Sequence, residues 1–368
     1  MNDSRADITV TNGFAMCYYC FDAGYEIPLS RIEKIRGKTA RQSLLTCTRL
    51  TPSYIQYKVP PLLIRLGKKK MKISDQEFSV TIDAKVYDFG VIVIRITLPI
   101  SGSLEQLNDM SIMLNDCKAL RKRAVAEFNK IIEDIQQVII KPRMNSTEDI
   151  EDYVIFMIQE FDHAVTVIDL LEDYSIELAR ILRCEKSLSC AEMSEALKNP
   201  LSYYDNDLTL VDWNSAVICD PNASYDVPDI IEFALIQLLE LRLYDHMLDE
   251  IIDGAYDALV PLRYRIFPFS RTLQNLLRIK LDISEIVDRL FYHLKLIGDV
   301  YLAKVYETAS KRFYVEHWKS AVRSKLATIE SIYRESWSRI QTNRMIVLEL
   351  AIVVLFVIDI ILILVELF

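Results

Sequence analysis

Met345–Phe368 reads MIVLELAIVVLFVIDIILILVELF, and this run decides the architecture before any other part of the chain is considered. At 1.5 Å per helical residue, about 20 such residues cross a hydrocarbon layer of about 30 Å. The competing reading, a buried core helix, fits poorly, since a core helix of this length rarely ends a chain with no polar tail. Arg334, Arg339 and Arg344 precede the run and nothing basic follows it. The bias of Lys and Arg toward the cytoplasmic side then predicts a single-pass protein of the cell inner (cytoplasmic) membrane, with the bulk of the chain in the cytoplasm.

Three acids interrupt the run. Glu349 and Glu366 fall near the two interfaces, whereas Asp359 lies about 5 Å past the middle. An ionised carboxylate at such depth costs on the order of 3 kcal/mol. At 100° per residue the three acids share an arc of about 100°. A one-sided polar stripe predicts a partner helix, such as the same segment of a second copy, and hence a homo-oligomer; the other reading is a monomeric anchor whose acids are tolerated or protonated.

Working back from the helix, the composition favours helices. Of 368 residues only 8 are Gly and 11 Pro, too few for a fold that turns often. Hydrophobic residues make up 51%. A net charge of −9 leaves no broad basic face for phosphates, so no nucleic-acid partner is expected. The seven cysteines have no framework spacing and the opening residues Met1–Asp7 are polar, consistent with free thiols in a reducing compartment.

The first hundred residues carry strand patterns. Phe14–Phe21 is a continuous apolar run. Val80, Ile82, Ala84 and Val86 alternate with polar residues, predicting a half-buried strand. Asp88-Phe89-Gly90 punctuates it before the buried run Val91–Leu98. Leu44–Leu50, Leu62–Leu66, Tyr153–Phe161 and Leu208–Trp213 are further strand candidates, and a short helix is expected over Arg31–Arg36. Ser103 with Gln106 forms a capping box ahead of a helix, and Arg121–Ile140 continues helical. Short helices follow around Glu177–Arg183 and Cys190–Lys198. Pro228 suits the first turn of a long helix to about Leu259, followed by helices over Thr272–Phe313 and Glu316–Gln341.

The expected fold is α+β: a small N-terminal mixed α/β domain, then a long-helix bundle or coiled-coil stalk, then one C-terminal transmembrane helix. The domains are 1–120 for the N-terminal part, 121–222 for a mixed region completing the head, 223–344 for the stalk and 345–368 for the membrane helix.

Candidate chemistry is sparse. Cys17-Tyr-Tyr-Cys20 sits in a strand pattern that points the two thiols to opposite sides, so it reads as core. Asp88-Phe89-Gly90 matches the kinase triplet in letters alone and reads as a turn. Glu240, Asp245, His246, Asp249, Glu250 and Asp253 crowd one helix, but without a second ligand-bearing helix they read as a charged face. Gly67-Lys-Lys-Lys-Met-Lys72 reads as a solvated hairpin loop, or else as a contact for an anionic membrane surface or a nucleic-acid-rich partner. No catalytic, cofactor-binding or metal-ligating residue is assigned, and the polar stripe Glu349, Asp359 and Glu366 is the one candidate site.

The chain's ends resemble the family named for "required for meiotic nuclear division" and Sad-interacting proteins, a domain of unknown function, in its bacterial-type form. Glu349 and Asp359, ten apart and preceded by Asn343-Arg344, match its C-terminal pattern. Val86-Tyr-Asp-Phe-Gly-Val-Ile-Val93 is similar to its strand–Gly–strand signature, and Ala15–Phe21 to its opening strand. Arg323-Ser-Lys-Leu-Ala327 departs from the usual run there. The resemblance implies a membrane-associated protein, some of whose eukaryotic relatives support mitochondrial translation, and it implies no catalytic residues.

Together these readings predict a non-enzymatic, self-associating scaffold or tether, partnered by the lipid bilayer and a cytoplasmic protein. A second class is an oligomeric ion channel or transport regulator with cobalt/magnesium-transporter-like architecture, which lacks here the Gly-Met-Asn loop between two spans. A third is a metal-dependent enzyme using the Glu240–Asp253 face.

Overall fold

The structure is a computed structural model and describes residues 8–32, 47–49, 59–74, 76–143, 147, 149–259, 277–281, 283–285, 287 and 299–367. The chain divides into two compact units, Met1–Arg242 with Arg289–Trp318, and Leu243–Asp288 with Lys319–Phe368.

The first unit is built on one eight-stranded sheet ordered β3-β4-β5-β6-β1-β8-β10-β9. Its strands are β1 (Thr9–Asp22), β3 (Cys47–Arg49), β4 (Leu62–Ile73), β5 (Gln76–Val86), β6 (Val91–Ser103), β8 (Ile150–Phe161), β9 (Leu208–Val211) and β10 (Ser215–Cys219). A separate pair joins β2 (Gly24–Glu26) to β7 (Ile140–Pro142). Every named neighbour pair is antiparallel except β8 with β10. The apolar run Phe14–Phe21 lies in β1, flanked on both sides by partner strands, and both its faces are covered. That explains why it shows no alternation: a strand buried on two sides has no polar face to display.

One sheet face packs on α1 (Leu104–Leu114), α2 (Lys118–Ile135) and α4 (Ser175–Arg183), through Leu107, Phe128, Ile131 and Leu178 against Ala15, Cys17, Tyr19 and Phe21. Phe21 and Phe128 stack at 4.3 Å. Two shorter helices, α3 (Val167–Asp173) and α5 (Cys190–Ala196), complete this stretch of chain. The opposite face meets the first part of α6 (Asp226–Leu259) and α7 (Val300–Arg312), where Tyr153 contacts Phe313 edge-on at 5.1 Å.

Local chemistry accounts for several boundaries. Ser103 accepts from the Gln106 amide N–H while the Gln106 side chain accepts from Ser103 N, the expected capping box. Asp88-Phe89-Gly90 makes the β5–β6 turn. Gly90 has φ +100°, and a Cβ there would fall 1.7 Å from the Gly24 carbonyl oxygen, so a side chain has no room. Pro228 stands in the first turn of α6, where its missing N–H costs nothing.

The sequence expectations differ from the structure in four places. Gly67–Lys72, expected as a loop, lies inside β4, whose hairpin turns at Ser74. The helix expected over Arg121–Ile140 closes at Ile135 with a 3-10 turn at Gln136–Val138, and β7 follows. The strand expected to end at Trp213 ends at Val211, and β10 follows it. The helix expected over Thr272–Phe313 is interrupted: Asp299 accepts from the Tyr301 and Leu302 N–H groups and caps α7. Much of Arg31–Arg36 and of Leu44–Leu50 lies outside the described residues.

The second unit is helical. It contains α6 from Leu243, helical residues at 277–281 and 283–285, and α8 (Val315–Leu367) from Lys319. Val322, Leu326, Ile329 and Ser336 recur three, four or seven apart as one buried seam on α8. Lys280 pairs with Glu330 at 2.6 Å, and Lys325 bridges Asp245 and Asp249 at 2.7 Å each. Together, then, the architecture is a mixed α/β sheet domain followed by long helices, as the composition predicts.

Candidate functional site

The apolar segment expected from the sequence is helical throughout the described part. Arg344–Ile363 spans 20 residues with a mean hydropathy of 3.1, and none of it is buried. Leu348, Leu355 and Phe356 are each more than 60% exposed. Twenty residues at 1.5 Å per residue give about 30 Å, the thickness of a hydrocarbon core. Moving such an apolar cylinder out of water is worth about 25 cal/mol per Å². Glu349, Asp359 and Glu366 all lie on α8, so the ten- and seven-residue spacings become an arc of about 100° on one continuous helix.

The helix is entered through charged turns. Arg334 pairs with Glu330 one turn earlier, on the N-terminal side of the apolar segment.

Two polar networks in the first unit were not expected. In the first, Lys85 of β5 is buried and its Nζ donates to Asp229 Oδ1 and Glu232 Oε2, each at 2.7 Å. The Tyr87 hydroxyl donates to Glu232 Oε1 at 2.7 Å. Burial pulls the Lys85 ammonium down, but Asp229 and Glu232 outweigh it and hold its pKa above the ordinary lysine value. Beside them, Arg95 pairs with Asp83 at 3.1 Å and lies over the Tyr225 ring at 4.7 Å. Asp83, Lys85 and Tyr87 occupy the positions that alternate with the apolar residues of β5, where the sequence pattern predicts a solvent face. The first turns of α6 cover that face instead. A Lys at a polar strand position gives no sign of whether a helix will lie over it.

In the second network Arg183 Nε pairs with the buried Asp212 at 2.5 Å, and Arg312 Nη1 approaches the same carboxylate at 3.4 Å. Burial raises Asp212's pKa against the pull of Arg312 and Arg183. Arg312 Nη2 also donates to the Glu195 and Lys198 carbonyls at 2.6 and 3.2 Å, closing the end of α5. A cleft of about 340 Å³ opens beside them, lined in part by Trp213, Asn199 and Tyr314. Every charged group there has a protein partner, so the arrangement fastens α5, α7 and the β9–β10 turn to one another.

Cys17 and Cys20 are buried on opposite sheet faces, and burial raises both thiols far above the range in which thiolates form. Lys325 of α8 sits between Asp245 and Asp249 of α6, while His246 and Glu250 of α6 face solvent 3.8 Å apart. Among the described residues no group of three or more His, Cys, Asp or Glu side chains is placed to hold a metal ion.

These features define a class: an α/β sheet domain joined to a helical part that carries a helix of membrane-crossing length and hydropathy. The chain belongs to the family of the uncharacterized protein MJ0711 N-terminal domain, whose model matches residues 12–226. It is 28% identical over 258 residues to uncharacterized protein MJ0711 of Methanocaldococcus jannaschii, covering 69% of this chain and 79% of that protein. No solved structure matches. The matched family segment takes in the sheet from β1 to β10 and ends where α6 begins.

Proposed function

We propose that this protein is a single-pass, membrane-anchored scaffold or tether whose sheet domain lies on the cytoplasmic side of the inner (cytoplasmic) membrane. The observation that carries the reading is the unburied, 20-residue apolar stretch Arg344–Ile363. Arg334, Arg339 and Arg344 on its N-terminal side support the orientation. The role is non-enzymatic in this reading: the two buried charged networks of the sheet domain are internally paired, and Cys17, Cys20, Cys184 and Cys219 are buried with raised pKa.

Self-association through the stripe of Glu349, Asp359 and Glu366 is part of the proposal. A carboxylate at the depth of Asp359 is stabilised by protonation or by a partner helix, and a second copy supplies the same group at the same depth. Kinship with the meiotic-nuclear-division and Sad-interacting proteins belongs to the same proposal. It is supported by Glu349 and Asp359 on one helix and by the strand–Gly–strand turn at Gly90.

The test is topology and assembly together. A protease added to right-side-out vesicles spares the sheet domain, and crosslinking in native membranes captures a second copy and a cytoplasmic protein. Digestion of the sheet domain in right-side-out vesicles refutes the orientation. An ion flux in liposomes carrying the purified protein would favour the channel reading, and stoichiometric bound metal would favour the enzyme reading.

A further inference from the structure

The lysine run that reads as a loop is a strand, and the change has a chemical consequence. A register shift between Arg65 and Gly67 inserts Leu66 as a bulge in β4. Before the bulge Arg65 faces Asp83; after it Lys68, Lys70 and Lys72 face Thr81, Ser79 and Glu77. Asp83 points to the sheet face that carries Lys85 and Arg95, and Thr81, Ser79 and Glu77 share that face by period two. The bulge therefore places Arg65, Lys68, Lys70 and Lys72 in one row on one face, all four exposed. Without it, Lys69 would point there and the row would be broken.

The other side of the strand confirms the sorting. Lys69 turns toward α2 and pairs with the buried Glu127 at 2.6 Å, where Arg123 also pairs at 2.5 Å. Met71 and Ile73 join the apolar core on that side. On the exposed face the neighbouring side chains are short hydroxyls, Ser79 and Thr81, so the long cations stand above a low surface. Among the described residues on this face, Asp83 is held by Arg95, and Glu77 lies 3.8 Å from Lys70 with both side chains well exposed. A row of four cations about 20 Å long on a flat sheet face is unusual in a chain of net charge −9.

We propose that this face of β4 docks on the anionic phosphate headgroups of a lipid bilayer. The inference rests on reading α8 as a membrane-spanning helix, because a chain held in a bilayer meets that surface at high effective concentration. Charge complementarity selects the occupant: each Lys or Arg at an anionic leaflet is favoured about fivefold, and a flat row presents four at once.

The experiment uses the full chain in lipid nanodiscs, one set of phosphatidylcholine and one containing phosphatidylglycerol, with lysine acetylation rates read by mass spectrometry. On the anionic discs Lys68, Lys70 and Lys72 acetylate at least about fivefold more slowly, and the protection disappears in high salt. The exposed Lys186 and Lys304 react equally on both discs, and Lys69 stays slow on both, reporting an intact fold. The variant Lys68→Glu with Lys70→Glu still elutes with the discs but loses the protection of Lys72. Equal rates on the two disc types overturn the docking face. So does protection that polyglutamate or inorganic phosphate produces on phosphatidylcholine discs while phosphatidylglycerol produces none. Failure of the chain to elute with either disc overturns the anchoring reading instead, so the two failures are distinct.

Discussion

Replacing Lys85 with Met removes the one cation that lies 2.7 Å from both Asp229 and Glu232. Both carboxylates are buried, at 8% and 1% exposure, and neither gains water when the ammonium goes. Breaking a buried ion pair by deleting one partner costs about 3–5 kcal/mol. Here two buried acids lose their shared cation, while Glu232 keeps the Tyr87 hydroxyl. Amide exchange in β5 and the first turns of α6, measured on the full chain in detergent, should quicken by about 10²- to 10³-fold if that cost reaches the local opening equilibrium. Lys85's pKa is raised, so its contribution is complete below the unfolded value of about 10.4 and is lost as pH climbs through the folded value. Adding Asp229→Leu and Glu232→Met to the Lys85→Met variant should recover most of the loss, since apolar replacements of a whole buried network are often neutral. Exchange within a factor of about 5 of wild type in the single variant would refute the claim that this network holds α6 on the sheet.

Other outcomes follow from the same structure. Gly90→Ala should cost about 3 kcal/mol or more, seen as a lowered thermal midpoint, because its Cβ would meet the Gly24 carbonyl and its φ is +100°. Burial pushes Asp22 up to about 6 against the pull of Arg143 and the Gly24 N–H. Asp22 therefore favours the fold while protonated, below about pH 3.9, and that contribution, about 3 kcal/mol at most, is lost as pH rises through 6. Asp22→Asn should flatten the thermal midpoint's dependence on pH between 4 and 6. Asp359→Leu should reduce the assembly size in mild detergent, and an unchanged size counts against the acidic stripe.

What the sequence discloses here depends on whether a residue's neighbours are local. The β1 and β6 runs, the Gly90 turn, the Ser103–Gln106 box and the Pro228 helix start are written in adjacent residues and are legible. The lysine strand is not, because the bulge at Leu66 resets the alternation and three charges hide the inward Met71 and Ile73. β10 is five residues long with no polar face, so its pattern does not separate it from a loop or a short helix. The α7 start depends on a single Asp299 cap inside a run that is otherwise helical in composition. The buried Lys85 network depends on contacts 144 to 147 residues apart, and no local pattern encodes them. The candidate membrane helix was legible in full, because its signal is length and hydropathy summed along one element.

Alkaline carbonate extraction of cell membranes carrying the full chain tests the central claim most directly. The account predicts that the protein stays in the pellet at high pH and leaves it only with detergent. Recovery of the intact chain in the carbonate supernatant, monodisperse without detergent, would contradict it.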